Sequence, residues 1–309
     1  MSSTMITARA AGTWNLGGDL PVHRVGFGAM RLTGSAAFHL GRPSDRTRSI
    51  AVLRRAVELG VNHIDTAAFY FSSLRSANEL INSALGPYPD DLVIVTKVGP
   101  HRDPSGEWGT WARPDQLRGQ VEENLRQLGR DHLDVVNLRR ARSWDSIAEH
   151  FGALAELREA GLIRHLGVSA VEPRHLAEAQ RIAPVVCVQN EYGLHAPDPG
   201  TEELLRLCGE QGIAFVPFFA LAGQGAEHGA AEAAQGGVDE AVAAVARAHG
   251  ATPAQVRLAW TLQLGPQVLA IPGTGDPEHL RENVAAGELR LTQDDLTRLA
   301  AARPQAPAA

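Results

Sequence analysis

The chain has 309 residues, 44% of them hydrophobic, a size that suits two domains or one α/β barrel of roughly 250 residues with additions. Its net charge of −6, with arginines interleaved among acids as at Arg54, Arg55 and Glu58, argues against a nucleic-acid surface, which needs clustered positive charge. Cys187 and Cys208 form neither a zinc motif nor a disulfide framework, Met1 to Ala11 has no signal pattern, and no apolar run reaches the roughly 18 residues of a membrane span. A soluble cytoplasmic protein without a metal site is expected.

Residues 5 to 22, with Gly17-Gly18-Asp19 in the middle, predict a β-hairpin that plugs one end of the core. Short apolar strands are then predicted at Val25 to Gly28, Val61 to Asp65, Leu92 to Lys97, Leu133 to Leu138, Ile163 to Val168, Val185 to Gln189, Ile213 to Pro217 and Val268 to Ile271. Helical stripes lie between them, such as Ile50-Leu53-Val57, Leu117-Val121-Leu125-Leu128 and Ile147-Phe151-Leu154-Leu157. Strands apolar on both faces and alternating with helices predict a single (β/α)8 TIM barrel over 1–309. The competing doubly wound sheet lacks a GxGxxG after any strand. Two long segments, 99–113 and 218–237, follow strand ends on the face where barrel enzymes carry their sites. The tail from Pro304 to Ala309 is expected to be disordered.

Of the 29 basic residues only Lys97 is lysine, at the end of a β-branched strand. Arginine does not replace a compact ammonium that must pack beside a hydroxyl. Asp65, Tyr70, Lys97, Arg139, Ser169 and Gln189 should converge at the barrel mouth. There Asp65 would hold Lys97 charged, and Lys97 would lower the pKa of Tyr70, making the phenol a proton donor to a carbonyl oxygen. Each residue also has an ordinary reading. Lys97 is then a survivor of compositional drift, Asp65 a turn cap, Tyr70 a packing residue, Arg139 a rim ion pair, and Ser169 and Gln189 polar strand ends.

Gly60-Val61-Asn62-His63-Ile64-Asp65-Thr66-Ala67-Ala68-Phe69-Tyr70 resembles the signature of the aldo-keto reductases, and Val95-Thr96-Lys97-Val98 resembles their lysine strand. Leu166 to Ser169, Val188 to Tyr192, Ile271 to Thr274 and Glu282-Asn283 extend the likeness from about Val25 to Asn283. The resemblance implies NADPH-dependent carbonyl reduction, with NADH the weaker alternative. Tyr70 would be the general acid, tuned by Lys97 and Asp65. Ser169 and Gln189 would hold the nicotinamide carboxamide, Phe218 would stack on its ring, and Ala29 and Met30 would join the cofactor contacts. Thr274, His279 and Arg281 would take the adenosine 2′-phosphate, and Glu282 and Asn283 the adenine.

Three departures stand out. Arg139 occupies the usual histidine position, and arginine donates hydrogen bonds but no proton. The common Ser-Asn pair is Ser169-Ala170, and a frequent lysine is Gly273. The ends Asn137-Leu138-Arg139 and Val216-Pro217-Phe218-Phe219 resemble the bacterial pyridoxal reductase branch, which suggests a planar aldehyde such as pyridoxal, with Phe69, Phe71, Trp108 and Trp111 as a stacking wall. The alternatives are a ketoreductase of secondary metabolism, a non-catalytic NADPH-sensing subunit, and a phosphate-handling barrel enzyme without nicotinamide.

Overall fold

Seven short parallel strands lie side by side in chain order, and an eighth segment closes them into a ring. The computed structural model describes residues 6–35, 41–103, 105–195, 198–218, 220–221 and 236–304. The hairpin strands are β1 (Thr13–Leu16) and β2 (Leu20–His23). The ring holds β3 (Phe27–Gly28), β4 (His63–Asp65), β5 (Val93–Val98), β6 (Leu133–Arg139), β7 (Ile163–Ser169), β8 (Val185–Gln189) and β9 (Ala214–Phe215). Around it run α1 (Arg46–Glu58), α2 (Ala77–Leu85), α3 (Leu117–Leu128), α4 (Ala148–Glu159), α5 (Pro173–Gln180), α6 (Pro199–Gln211), α7 (Gly236–His249), α8 (Pro253–Gln263), α9 (Pro277–Ala285) and α10 (Gln293–Ala302). This is the (β/α)8 barrel with an N-terminal hairpin that the sequence predicts.

The last predicted strand differs from expectation. Residues 268–271 form no regular strand; Val268 bridges Phe215 and Ala270 bridges Val25, and those two bridges close the barrel. Pro266 and Pro272 flank the segment, and a residue without an N–H cannot extend a ladder. Most of the predicted long segment 218–237 and all of the tail after Pro304 lie outside the described residues. Among the described residues no helix is long and apolar enough to cross a membrane.

The hairpin begins later than predicted, because residues 8–11 form a 3-10 turn capped by the Thr7 side chain. Gly17 and Gly18 take φ of 62° and 86°, and a Cβ on Gly17 would stand 2.4 Å from the His165 ring, so the turn requires glycine. Asp19 in this turn reaches Arg164 at 2.6 Å and His165 at 2.7 Å on β7. Leu16, Leu20 and Val22 pack with Val93, Val95 and Val135 in the barrel interior, which seals the N-terminal end.

Side-chain parity sorts the strands. Ile64, Ile94, Val136, Leu166 and Val188 join the larger core with the helices, whereas Val93, Val95 and Val135 face the axis. Successive side chains alternate, so Asp65, Lys97, Asn137 and Arg139 continue the inward set and meet at the C-terminal mouth.

One inward residue makes folding sensitive to acid. His63 on β4 is fully buried and its Nδ1 has no partner. Burial pulls its pKa down to about 4; Asp65 opposes this and Lys97 adds to it. The unfolded chain therefore takes up this proton first, and stability falls as the pH drops from about 6.5 towards 4, by about 3 kcal/mol from this group. Urea unfolding at pH 7 and pH 4.5 checks it: the loss should be smaller in His63→Gln.

Candidate active site

Lys97 Nζ donates to Asp65 Oδ2 at 2.7 Å and to the Thr66 carbonyl oxygen at 3.0 Å, with both ion-pair side chains 5% exposed. The second carboxylate oxygen, Oδ1, accepts from Gln189 Nε2 at 2.8 Å. Asp65 thus ties β4 to β5 and β8. Tyr70, in the loop after β4, lies with its ring centroid 4.9 Å from Lys97 Nζ.

The direction of the phenol's shift is reversed from the sequence expectation. Burial pushes the Tyr70 pKa up; Lys97 and, further down the order, Arg139 oppose it, while Asp65 adds to it. Desolvation of the phenolate outweighs the ammonium's attraction, so the phenol is held protonated. Burial also disfavours the Lys97 ammonium, yet Asp65 and Tyr70 more than offset it and its pKa is raised.

These groups open on a cavity of about 350 Å³ at the barrel mouth. Tyr70, Lys97, Asp65, Arg139 and Gln189 form its polar side; Phe69, Trp108, Trp111, Met30, Leu258 and Phe218 supply apolar surface. Phe69 meets Tyr70 and Trp108 edge-on at 5.1 and 6.0 Å, and Trp111 packs on Trp144. Two predicted residues fall elsewhere. Ala29 is packed in the core, and Phe71 lies under the Arg102 guanidinium at 4.2 Å, lining an adjoining cavity that shares Phe69, Lys97 and Pro100 with the first.

Arg139 Nη1 donates to Ser169 Oγ at 3.3 Å, and its guanidinium carbon stands 4.8 Å from the Phe218 ring centroid. No carboxylate forms an ion pair with it among the described residues, so it is not the rim ion pair of the ordinary reading. Beside it, Ala170 holds φ of 56°, the left-handed region that favours Gly or Asn. Four bonds brace that turn: Ala170 N donates to Gln189 O, Arg140 N to Ser169 O, Arg140 Nε to Ala170 O, and Val171 N to Asn190 Oδ1.

Close backbone approach marks the closing seam. A Cβ on Gly28 would stand 2.6 Å from Ile271 O, and one on Gly273 would stand 2.5 Å from Gly28 O. Packing therefore excludes a side chain at 273, where the resemblance would place lysine. Beyond the seam, Thr274 Oγ1 accepts from Asp276 N, and Asp276 caps α9 by accepting from Glu278 N and His279 N. Arg281 pairs with Glu278 at 3.1 Å; Asn283 is buried, and the Glu282 carbonyl accepts from Gln255. Arg48 on α1, which nothing in the sequence singles out, reaches Asp276 at 2.5 Å.

A second set of residues was also not apparent from the sequence. Thr66 Oγ1 donates to Asn78 Oδ1 at 2.8 Å, Asn78 Nδ2 to Asn124 Oδ1 at 2.9 Å, and Thr96 Oγ1 to the same Asn124 oxygen at 2.6 Å. All four side chains are fully buried. This network fixes residue 66, whose carbonyl holds Lys97. Its one sequence signal is an asparagine on the buried face of each of α2 and α3.

The profile of the Aldo/keto reductase family matches residues 24–304. The chain belongs to this family. It is 44% identical to pyridoxine 4-dehydrogenase of Escherichia coli (strain K12) over 289 residues, covering 91% of this chain and 95% of that one. It is 36% identical to an uncharacterized oxidoreductase of Schizosaccharomyces pombe, covering 96% and 92%. Among solved structures, an aldo-keto reductase from Klebsiella pneumoniae in complex with NADPH superposes with a TM-score of 0.77 at 26% identity, covering 96% of each chain.

Removing Asn124 strands its partners: Asn124→Ala leaves the Thr96 hydroxyl and an Asn78 N–H buried and unpaired, and should destabilise the family barrel by about 2–4 kcal/mol. A shifted urea midpoint with an unchanged slope is the expected readout.

Proposed function

We propose that this chain reduces an aldehyde or ketone to an alcohol with NADPH, using Tyr70 as general acid. The observation that carries this reading is a buried phenol, held protonated, whose ring centroid lies 4.9 Å from an ammonium that Asp65 anchors. As a carbonyl oxygen gains negative charge, the Tyr70 proton moves onto it, and Lys97 stabilises the phenolate left behind. Asp65 keeps Lys97 charged and fixed. Arg139, donating no proton, adds hydrogen bonds to the developing oxyanion.

Several features fit the nicotinamide nucleotide. Gln189 Oε1 is a buried acceptor without a partner and suits an amide N–H; Ser169 lies beside it and Phe218 offers a ring face. When bound, the cofactor supplies the hydride. Arg48, His279 and Arg281, grouped around the start of α9 with Thr274, suit a 2′-phosphate, and Glu282 and Asn283 would take the adenine. The aromatic wall supports a planar aldehyde, and the name of the Escherichia coli relative supports pyridoxal within that class.

Tyr70→Phe should lower kcat by about 10²–10⁴-fold while NADPH still quenches tryptophan fluorescence. Unchanged turnover would reject the acid's assignment. Because burial raises the phenol pKa, the acid form persists across neutral pH. Reduction rates should stay level from about pH 6 to 9 and fall only as the pH rises past the phenol, while alcohol oxidation climbs with pH. Arg48→Ala and Arg281→Ala should each weaken NADPH about tenfold and leave NADH unchanged in fluorescence titrations.

A further inference from the structure

Arg139 is a half-buried cation on the cavity wall that forms no ion pair among the described residues. The most buried arginines of the described chain, Arg102, Arg140 and Arg257, are each held by carbonyl oxygens or a carboxylate: Arg102 by Phe69, Phe71 and Gly106, Arg140 by Ala170 and Glu172, Arg257 by Asp239. Arg139 has one hydrogen bond, to the neutral Ser169 hydroxyl, and Glu191 reaches it through its field without ion-pair contact. Among the described residues its Nε and Nη2 make no hydrogen bond, neither is sealed inside the protein, and the residue lines the main cavity.

A charge drawn partly out of water gains from a close counter-charge, and a guanidinium cannot relieve the loss of hydration by giving up its proton. Among the described residues the cavity supplies no anion close enough to pair with it, so an anionic ligand there gains a charge-assisted partner. The rest of the wall, Phe69, Trp108, Trp111 and Phe218, is aromatic and suits a flat ring. Arg139 and Tyr70 line the same cavity, so an anion bound by the fork lies near the carbonyl oxygen that Tyr70 protonates. A guanidinium fork matches two coplanar oxygens at carboxylate-like spacing. A carbonyl oxygen and an ionised oxygen on the adjacent ring carbon have that spacing; a carbonyl alone uses half of the fork.

We propose that Arg139 determines specificity, selecting planar aromatic aldehydes that carry an anionic oxygen ortho to the reacting carbonyl. This rests on the reductase reading above and narrows its substrate class. Arg139 only binds: the proton leaves Tyr70 for the carbonyl oxygen and the hydride reaches the carbonyl carbon, so the arginine is unchanged over the cycle.

The test is kcat/KM with NADPH for four probes: benzaldehyde, 2-hydroxybenzaldehyde, 4-hydroxybenzaldehyde and 2-methoxybenzaldehyde. The 2-hydroxy compound should lead each of the others by about 10–100-fold in the unaltered protein, as a charge-assisted contact made by one isomer alone requires. In Arg139→His, which keeps a donor but loses the fork, that lead should shrink to within about threefold. Equal efficiency across the four probes, or a 2-hydroxy lead that survives Arg139→His, overturns the proposal. The comparison among isomers needs no variant, so it decides the matter even where Arg139→His fails to fold. Turnover of benzaldehyde without ortho preference removes this inference and leaves the reductase reading standing; absence of NADPH oxidation with all four probes removes both.

Discussion

The site depends on keeping one ammonium charged inside the protein. Removing a cation from water is unfavourable by several kcal/mol unless a close counter-charge and further acceptors replace the lost hydration. Lys97 has both, a carboxylate at 2.7 Å and the Thr66 carbonyl at 3.0 Å, brought from the end of the neighbouring strand. The parallel register sets these distances. Asp65 pairs with Val95, two residues before Lys97, so the inward-facing acid and amine meet at the mouth. Arginine would fill the same space with a wide planar group and could not sit behind a phenol in this way.

Around that pair, two opposing influences define the chemistry. Burial raises the phenol's affinity for its proton, and the neighbouring cations limit the rise. The result is a phenol that keeps its proton at neutral pH beside a cation that would stabilise its phenolate. Gln189 holds the other side of Asp65, and the buried Thr66, Asn78, Thr96 and Asn124 network holds the backbone behind it. The geometry of the mouth is therefore set from below, by Thr66, Asn78, Thr96 and Asn124, which do not line the main cavity.

Much of the fold was legible in the sequence because parity and punctuation are local. Apolar runs of strand length, the Gly17-Gly18 turn and the stripes of α1, α3 and α4 each carry their own signal. The gathering of Asp65, Lys97, Arg139 and Gln189 followed from strand parity plus the barrel. What escaped depends on three dimensions. The direction of the Tyr70 shift turns on burial depth, which spacing does not encode. Phe71 lines the adjoining cavity because Arg102, anchored to the carbonyls of Phe69 and Phe71, draws it aside. Arg48 meets Asp276 across 228 positions of chain. The final strand was legible as apolar residues but not as two isolated bridges, because the flanking prolines act on hydrogen bonding rather than on hydrophobicity.

Those two bridges have a consequence of their own. The first and last segments of the ring meet where Gly28 and Gly273 pass almost in contact, with fewer ladder bonds than between β5 and β6 or β6 and β7. A molecule lying across this zipper touches both ends of the polypeptide circuit at its least stitched point. Filling the mouth and fastening the hoop are then one thermodynamic event, so occupancy reinforces the architecture as a whole rather than the local pocket alone.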